Sequence, residues 1–166
     1  MDRYTRRGLF KALPSLLRTE DNKKIPNLIR PPYLKEDTDF KQCYSCNGYC
    51  VAACEENILF RDENNIPYIE FKHSGCTFCG KCMEACQYGV LSNPDKKRIE
   101  AVTTINTDKC LAWNKTMCFS CRDYCIDDAI KFKGLFNPEI ISSKCTNCGF
   151  CVISCPVKAI EIRGLS

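Results

Sequence analysis

Sixteen of the 166 residues are cysteines, and they fall into four groups of four. The groups are Cys43, Cys46, Cys50 and Cys54; Cys76, Cys79, Cys82 and Cys86; Cys110, Cys118, Cys121 and Cys125; and Cys145, Cys148, Cys151 and Cys155. The second and fourth follow the spacing C-x2-C-x2-C-x3-C, and the fourth adds Pro156 directly after its last cysteine. This is the ligand run of bacterial iron–sulfur loops. Three closely spaced thiolates wrap one face of a cubane, and the fourth points away to ligate a neighbouring cluster. Gly80 and Gly149 each follow the second cysteine of their group. Without a side chain there, the backbone can approach inorganic sulfide and donate its amides, which tunes the potential.

The other two groups depart from that spacing. In the third, Leu111 to Met117 widen the first gap, an insertion that costs little closure entropy. In the first, the middle gap between Cys46 and Cys50 holds three residues where the regular run has two. All four thiols are present in each group, so the reading is an intact cluster with a bulged loop in the first. Zinc is a poor match: structural zinc sites use separated pairs and often histidine, and His73 is the only histidine here. The βαβ context of a thioredoxin-like CxxC is missing, as is the long barrel chain of a radical-SAM enzyme. With no Ser/His/Asp set, Walker loop or dinucleotide fingerprint, no catalytic residue is assigned. His73 reads as exposed, Trp113 as a cover for the widened loop, and Tyr44, Phe78 and Phe119 as shields against water.

The formal charge of +4 is not a nucleic-acid signature. Four oxidised cubanes, each about −2 with its thiolates, would bring the loaded protein to roughly −4. The basic residues are scattered, with only short runs such as Lys96-Lys97-Arg98. No stretch approaches the ~20 apolar residues of a transmembrane helix. Leu9, Phe10, Leu13, Leu16 and Leu17 are interrupted by Lys11, Pro14 and Arg18, so they form no signal-peptide core. The expectation is a cytoplasmic protein whose dense cysteines hold metal and which meets membranes only through partners.

The elements that must position the cysteines repeat with them. First cysteines stand at 43, 76, 110 and 145, a period drifting from 33 to 35 residues. Four and five residues after each last cysteine comes an apolar pair: Ile58-Leu59, Val90-Leu91, Ala129-Ile130 and Ala159-Ile160. The pairs fit a short helix that follows each group and leans back on its cluster. Ile58 to Phe60, Asn64-Asn65 and Tyr68 to Phe71 read as a hairpin, as do Ile130 to Phe132, Gly134 and Ile140-Ile141. Ala101 to Ile105 and Ile160 to Ile162 read as strands. The fold class is therefore α+β, two tandem bacterial ferredoxin-like modules of pseudo-twofold form, at residues 40–95 and 105–163. Residues 1–40 form an N-terminal docking arm, with an amphipathic helix from Arg6 to Leu17 and an extended Arg30-Pro31-Pro32-Tyr33 stretch.

Four such quartets, the widened gap before Cys118, Arg6-Arg7-Gly8 and Ile29-Arg30-Pro31-Pro32 together resemble the NapF family, accessory iron–sulfur proteins of periplasmic nitrate reductase systems. The resemblance covers nearly the whole chain and departs from the family pattern in the middle gap of the first group. It implies a soluble cytoplasmic protein with four [4Fe–4S] clusters, whose partners are the nitrate reductase catalytic subunit or its redox partners. Its role would be electron transfer, or else maturation of the catalytic subunit before export. Thr5 to Lys11 is also similar to a twin-arginine export motif, carried by the exported sibling protein of such operons, but the apolar stretch that export needs is missing. Two pairings of the groups stay open on spacing: sequential, the favoured one, or nested, first with fourth and second with third. Sequential pairing would send Cys54 to the site of Cys76, Cys79 and Cys82, and Cys86 to that of Cys43, Cys46 and Cys50. Likewise Cys125 would join Cys145, Cys148 and Cys151, and Cys155 would join Cys110, Cys118 and Cys121.

Overall fold

The computed structural model describes residues 28–35 and 37–165. Its elements are short and mixed. The helices are α1 (Lys41–Tyr44), α2 (Tyr49–Ala52), α3 (Lys81–Glu84), α4 (Ser120–Asp123) and α5 (Phe150–Ser154). The strands are β1 (Leu59–Arg61), β2 (Pro67–Ile69), β3 (Ala101–Ile105), β4 (Ile130–Lys133), β5 (Phe136–Ile140) and β6 (Ile160–Gly164). They form three antiparallel pairs: β1 with β2, β4 with β5, and β3 with β6. Both hairpins are where the sequence predicts them. The β1–β2 turn is closed by Asp62, whose side chain accepts from the amides of Asn64 and Ile66, each at 2.9 Å.

The apolar pairs lie in the core, all eight residues buried, but their expected helices are not there. Helices α2 to α5 instead each carry the third cysteine of their group, and the fourth lies beyond the helix end. The physical reason recurs three residues after every last cysteine. Asn57, Gly89, Asp128 and Lys158 all have positive φ, which stops a right-handed helix and turns the chain. The pair that follows then starts β1, β4 or β6, or, at Leu91, an isolated bridge to Leu34.

Helices α2 and α3 touch each other, and so do α4 and α5. The strand preceding the third group, β3, pairs with the strand following the fourth, β6, from Ala101 opposite Gly164 to Ile105 opposite Ile160. Around the first two groups the corresponding closure shrinks to the Leu34–Leu91 bridge.

Part of the 1–40 segment is described, and it packs on the first half of the molecule. Ile29 bridges Ile69 and accepts its amide at 2.7 Å, and Arg30 pairs with Asp62 at 3.2 Å while donating to the Pro67 carbonyl. The stretch ends in a turn at Tyr33, which is almost fully buried. Residues 28–35 are thus packed into the first half of the molecule because their apolar side chains complete its core. The helix expected at Arg6 to Leu17 lies outside the described residues.

Candidate metal centres

Three small pockets lie behind the cysteine loops, and each is lined by four cysteines. Cys54, Cys76, Cys79 and Cys82 line one of them. Cys125, Cys145, Cys148 and Cys151 line the second, and Cys110, Cys118, Cys121 and Cys155 the third. In every case three thiols come from one group and the fourth from a different one. The remaining four converge by packing: Cys43, Cys50 and Cys86 belong to one apolar cluster. After burial, the charges that most raise Cys43 and Cys50 come from Cys86 and Cys46.

The thiols resist ionising on their own. Burial, with neighbouring thiolates behind it, pushes Cys50, Cys76 and Cys121 up to about 11 and Cys82 up to about 12. Cys151 is driven upward by the same causes. Four thiolates facing one apolar space are stable together only when a cation compensates them, so metal must displace their protons. The thiols stand around a space, and that suits a multinuclear group rather than one zinc ion.

Backbone amides four or five residues after the last cysteine turn toward its sulfur. Ala129 and Ala159 donate to Cys125 Sγ and Cys155 Sγ, each at 3.2 Å, and Leu91 donates to Cys86 Sγ at 3.4 Å. The repeated left-handed residue aims these amides, and such N–H···S contacts stabilise added negative charge on a bound cluster.

The first group absorbs its extra residue ahead of Gly48, which matches Gly80 and Gly149 of the second and fourth groups. Each caps the N-terminus of its helix in left-handed backbone, with φ of +77°, +82° and +87°. Gly80 and Gly149 stand two residues before the third cysteine, and so does Gly48 before Cys50. The additional residue is therefore Asn47, placed ahead of the glycine, and the cap-to-third-cysteine register is unchanged. In the third group, Asn114 ties the inserted loop by donating to the carbonyls of Thr107, Asp108 and Cys110. Trp113 clips it to β5 through an Nε1–H bond of 3.1 Å to the Pro138 carbonyl.

His73 is exposed, as its loop position suggested, and Phe78 lines the first cavity. Phe119 packs on Phe132, ring centroids 5.0 Å apart. Tyr44, the last residue of α1, is 52% exposed, so it does not form the shield expected of it. One residue of the first cavity carried no sequence signal for this role. Tyr33 lines it from outside all four groups and donates its hydroxyl to the Phe78 carbonyl at 2.7 Å.

Known proteins share these features. A 4Fe-4S dicluster domain matches residues 42–90, spanning the first two groups, and a 4Fe-4S binding domain matches residues 138–161. Ferredoxin-type protein NapF of Escherichia coli K12 is 37% identical over 148 residues, covering 86% of this chain and 89% of its own. NapF of Haemophilus influenzae is 36% identical over 165 residues, covering 96% and 91%. Ferredoxin-type protein NapG of the same organism is 27% identical, over 81% of this chain and 57% of its own. With cysteine-lined cavities, two 4Fe-4S domains and this identity over most of both chains, the protein belongs to the NapF family of ferredoxin-type proteins.

Proposed function

We propose that the sixteen cysteines hold four [4Fe–4S] clusters and that the protein transfers single electrons as an accessory of periplasmic nitrate reductase. The observation that carries this reading is the lining of the cavities by three thiols of one group and one of another. Such an exchange belongs to paired clusters held close together, an arrangement for moving charge. In this reading Cys43, Cys46, Cys50 and Cys86 form the first site, and Cys54, Cys76, Cys79 and Cys82 the second. Cys110, Cys118, Cys121 and Cys155 form the third, and Cys125, Cys145, Cys148 and Cys151 the fourth. The fold is then two tandem ferredoxin-like modules of pseudo-twofold form, around residues 40–95 and 105–163. The β3–β6 closure and the contacts between α2 and α3 and between α4 and α5 support it.

A bound cluster supplies one-electron redox chemistry. The chain's part is to fix the thiolates, exclude water with Phe78 and Tyr33, and direct amides at the sulfurs. We place the protein in the cytoplasm, where sixteen thiols stay available for metal. Among the described residues no helix is long and apolar enough to cross a membrane.

Anaerobic purification with iron and sulfide counting tests the cofactor: about four irons and four sulfides are expected per cysteine group. Electron transfer is then tested by mixing the dithionite-reduced protein with oxidised partners from the nitrate reductase system. Bleaching of reduced-cluster signals at the rate of partner reduction supports it. Tight binding to the catalytic subunit without electron exchange would replace it with a maturation role, with residues 1–27 the segment to delete in a binding assay.

A further inference from the structure

The two halves meet at two cysteine loops. The amide of Cys76 donates to the carbonyl of Cys148 at 2.7 Å, so the second and fourth groups meet main chain to main chain. Two glycines permit this approach. A Cβ on Gly75 would stand 2.7 Å from the Cys148 carbonyl oxygen and 2.7 Å from the Phe150 ring. A Cβ on Gly149 would stand 2.2 Å from the Phe71 ring. Neither distance is compatible with a side chain.

The surroundings lock the contact. Asn147, the one buried polar residue at this junction, donates from Nδ2 to the carbonyls of Ile99 at 2.9 Å and Ala101 at 2.8 Å, and its Oδ1 accepts from Thr103. The Ile99 amide donates to the Thr146 carbonyl at 3.0 Å. Ile99 and Ala101 lie in the same apolar cluster as Ile29, Ile58, Leu59 and Ile69, with Phe71 and Ile162 packed against it. One core therefore runs through the junction.

We propose that Gly75, Gly149 and Phe71 are positioning residues that make the second and fourth sites the adjoining pair and leave the first and third as the terminal ones. The four sites then follow one another in the line first, second, fourth, third, which is not their order in the chain. An electron crossing between the halves leaves one of the two adjoining sites and arrives at the other. One is oxidised and the other reduced by a single electron, with no bond and no proton moved. Partners would be met at the ends of the line, where Tyr44 and Tyr49 flank the first site and Met117 the third, all exposed.

This rests on the four-cluster reading, and its test uses the full-length loaded protein. Gly149→Ala and Gly134→Ala impose the same left-handed strain, but a Cβ on Gly134, in the β4–β5 turn, meets nothing within 4 Å. Hydrogen exchange of the Cys76 and Ile99 amides and spin–spin broadening in the fully reduced protein are recorded for both. Gly149→Ala should speed exchange at those amides at least tenfold and weaken the broadening, while Gly134→Ala leaves both as in the wild type. Should Gly149→Ala lose iron, Phe71→Ala decides, because it leaves every cysteine loop intact and is expected to produce the same two changes. Unchanged exchange and broadening in an iron-replete Gly149→Ala or Phe71→Ala protein overturn the proposal. Broadening without electron delivery to any nitrate reductase partner would instead sink the electron-transfer role and leave the junction standing.

Discussion

The Tyr33 hydroxyl reaches the Phe78 carbonyl across 2.7 Å, and both residues hold left-handed backbone, φ +68° and +52°. Such conformations persist in bulky residues only where the surroundings over-determine them. The bond therefore pins the turn between Cys76 and Cys79 from a segment 45 residues away. Tyr33→Phe leaves the Phe78 carbonyl without its donor, at a cost of about 1–3 kcal/mol. Chelator-driven bleaching of the second site should accelerate several-fold, with the other sites unaffected. Tyr33→Ala adds the loss of a buried ring, about 3–5 kcal/mol, and should bleach faster still. Burial, reinforced by nearby Cys76, Cys82 and Cys79, pushes the Tyr33 hydroxyl up to about 12. From about pH 10 to 12 the native state keeps a proton that the unfolded chain releases. Its stabilising contribution is whole below that window and fades as pH rises through it. Bleaching rates of Tyr33→Phe should depend less on pH there than those of the wild type.

The irregular first group yields a sharper pair. Deleting Asn47 restores the regular middle gap without disturbing the Gly48-to-Cys50 register, so iron content should be unchanged. Gly48→Val should lose the first cluster. It forces a branched residue to φ +77°, worth about 1–2 kcal/mol, and drives Cβ to 2.9 Å from the Arg61 side chain. Iron per protein after anaerobic purification reads both. Loss of iron on deleting Asn47 would refute the assignment of the extra residue.

The cysteine groups, the hairpins and the buried apolar pairs were legible because local spacing and apolarity decide them. The helix positions were not. An apolar pair at helical distance from Cys125 or Cys155 looks the same whether or not Asp128 and Lys158 break the helix first. The repeat did contain the clue: Asn57, Gly89 and Asp128 are residue types that tolerate left-handed backbone, at one fixed offset. Tyr33 and the Cys76–Cys148 junction depend on partners far along the chain, and no periodicity encodes such a meeting. Asn147 illustrates the same limit, since a polar residue inside a cysteine loop reads as exposed until Ile99 and Ala101 are brought over it.

Trp113 tests whether the widened third loop is a held structure or slack. Its indole N–H bond to Pro138 and the neighbouring buried Ala112 anchor the insertion to β5. Trp113→Phe removes the bond but keeps much of the ring, at about 1 kcal/mol. Exchange of the Asn114 and Thr116 amides, which bond to Cys110 and Leu111, should rise several-fold. The first, second and fourth sites should keep their bleaching rates. Equal effects on all four would mean that the loop contributes to the whole core rather than to one site.

Pairing of the groups can be decided by counting iron in double variants. If Cys54 serves the site of Cys76, then Cys54→Ala with Cys76→Ala removes one cluster, no more than either change alone. Cys54→Ala with Cys43→Ala removes two, because Cys43 serves the site that Cys86 completes. The same logic gives one cluster for Cys155→Ala with Cys110→Ala, and two for Cys155→Ala with Cys145→Ala. Each lost cluster is worth about four irons, well above counting error. Nested pairing reverses part of the pattern: Cys155 would then complete the site of Cys43, and Cys155→Ala with Cys43→Ala would cost a single cluster. Residues sharing one site act as a unit and their losses fail to add, whereas residues of separate sites add. Iron content thus reports which thiols meet in the folded chain without requiring that any variant retain activity.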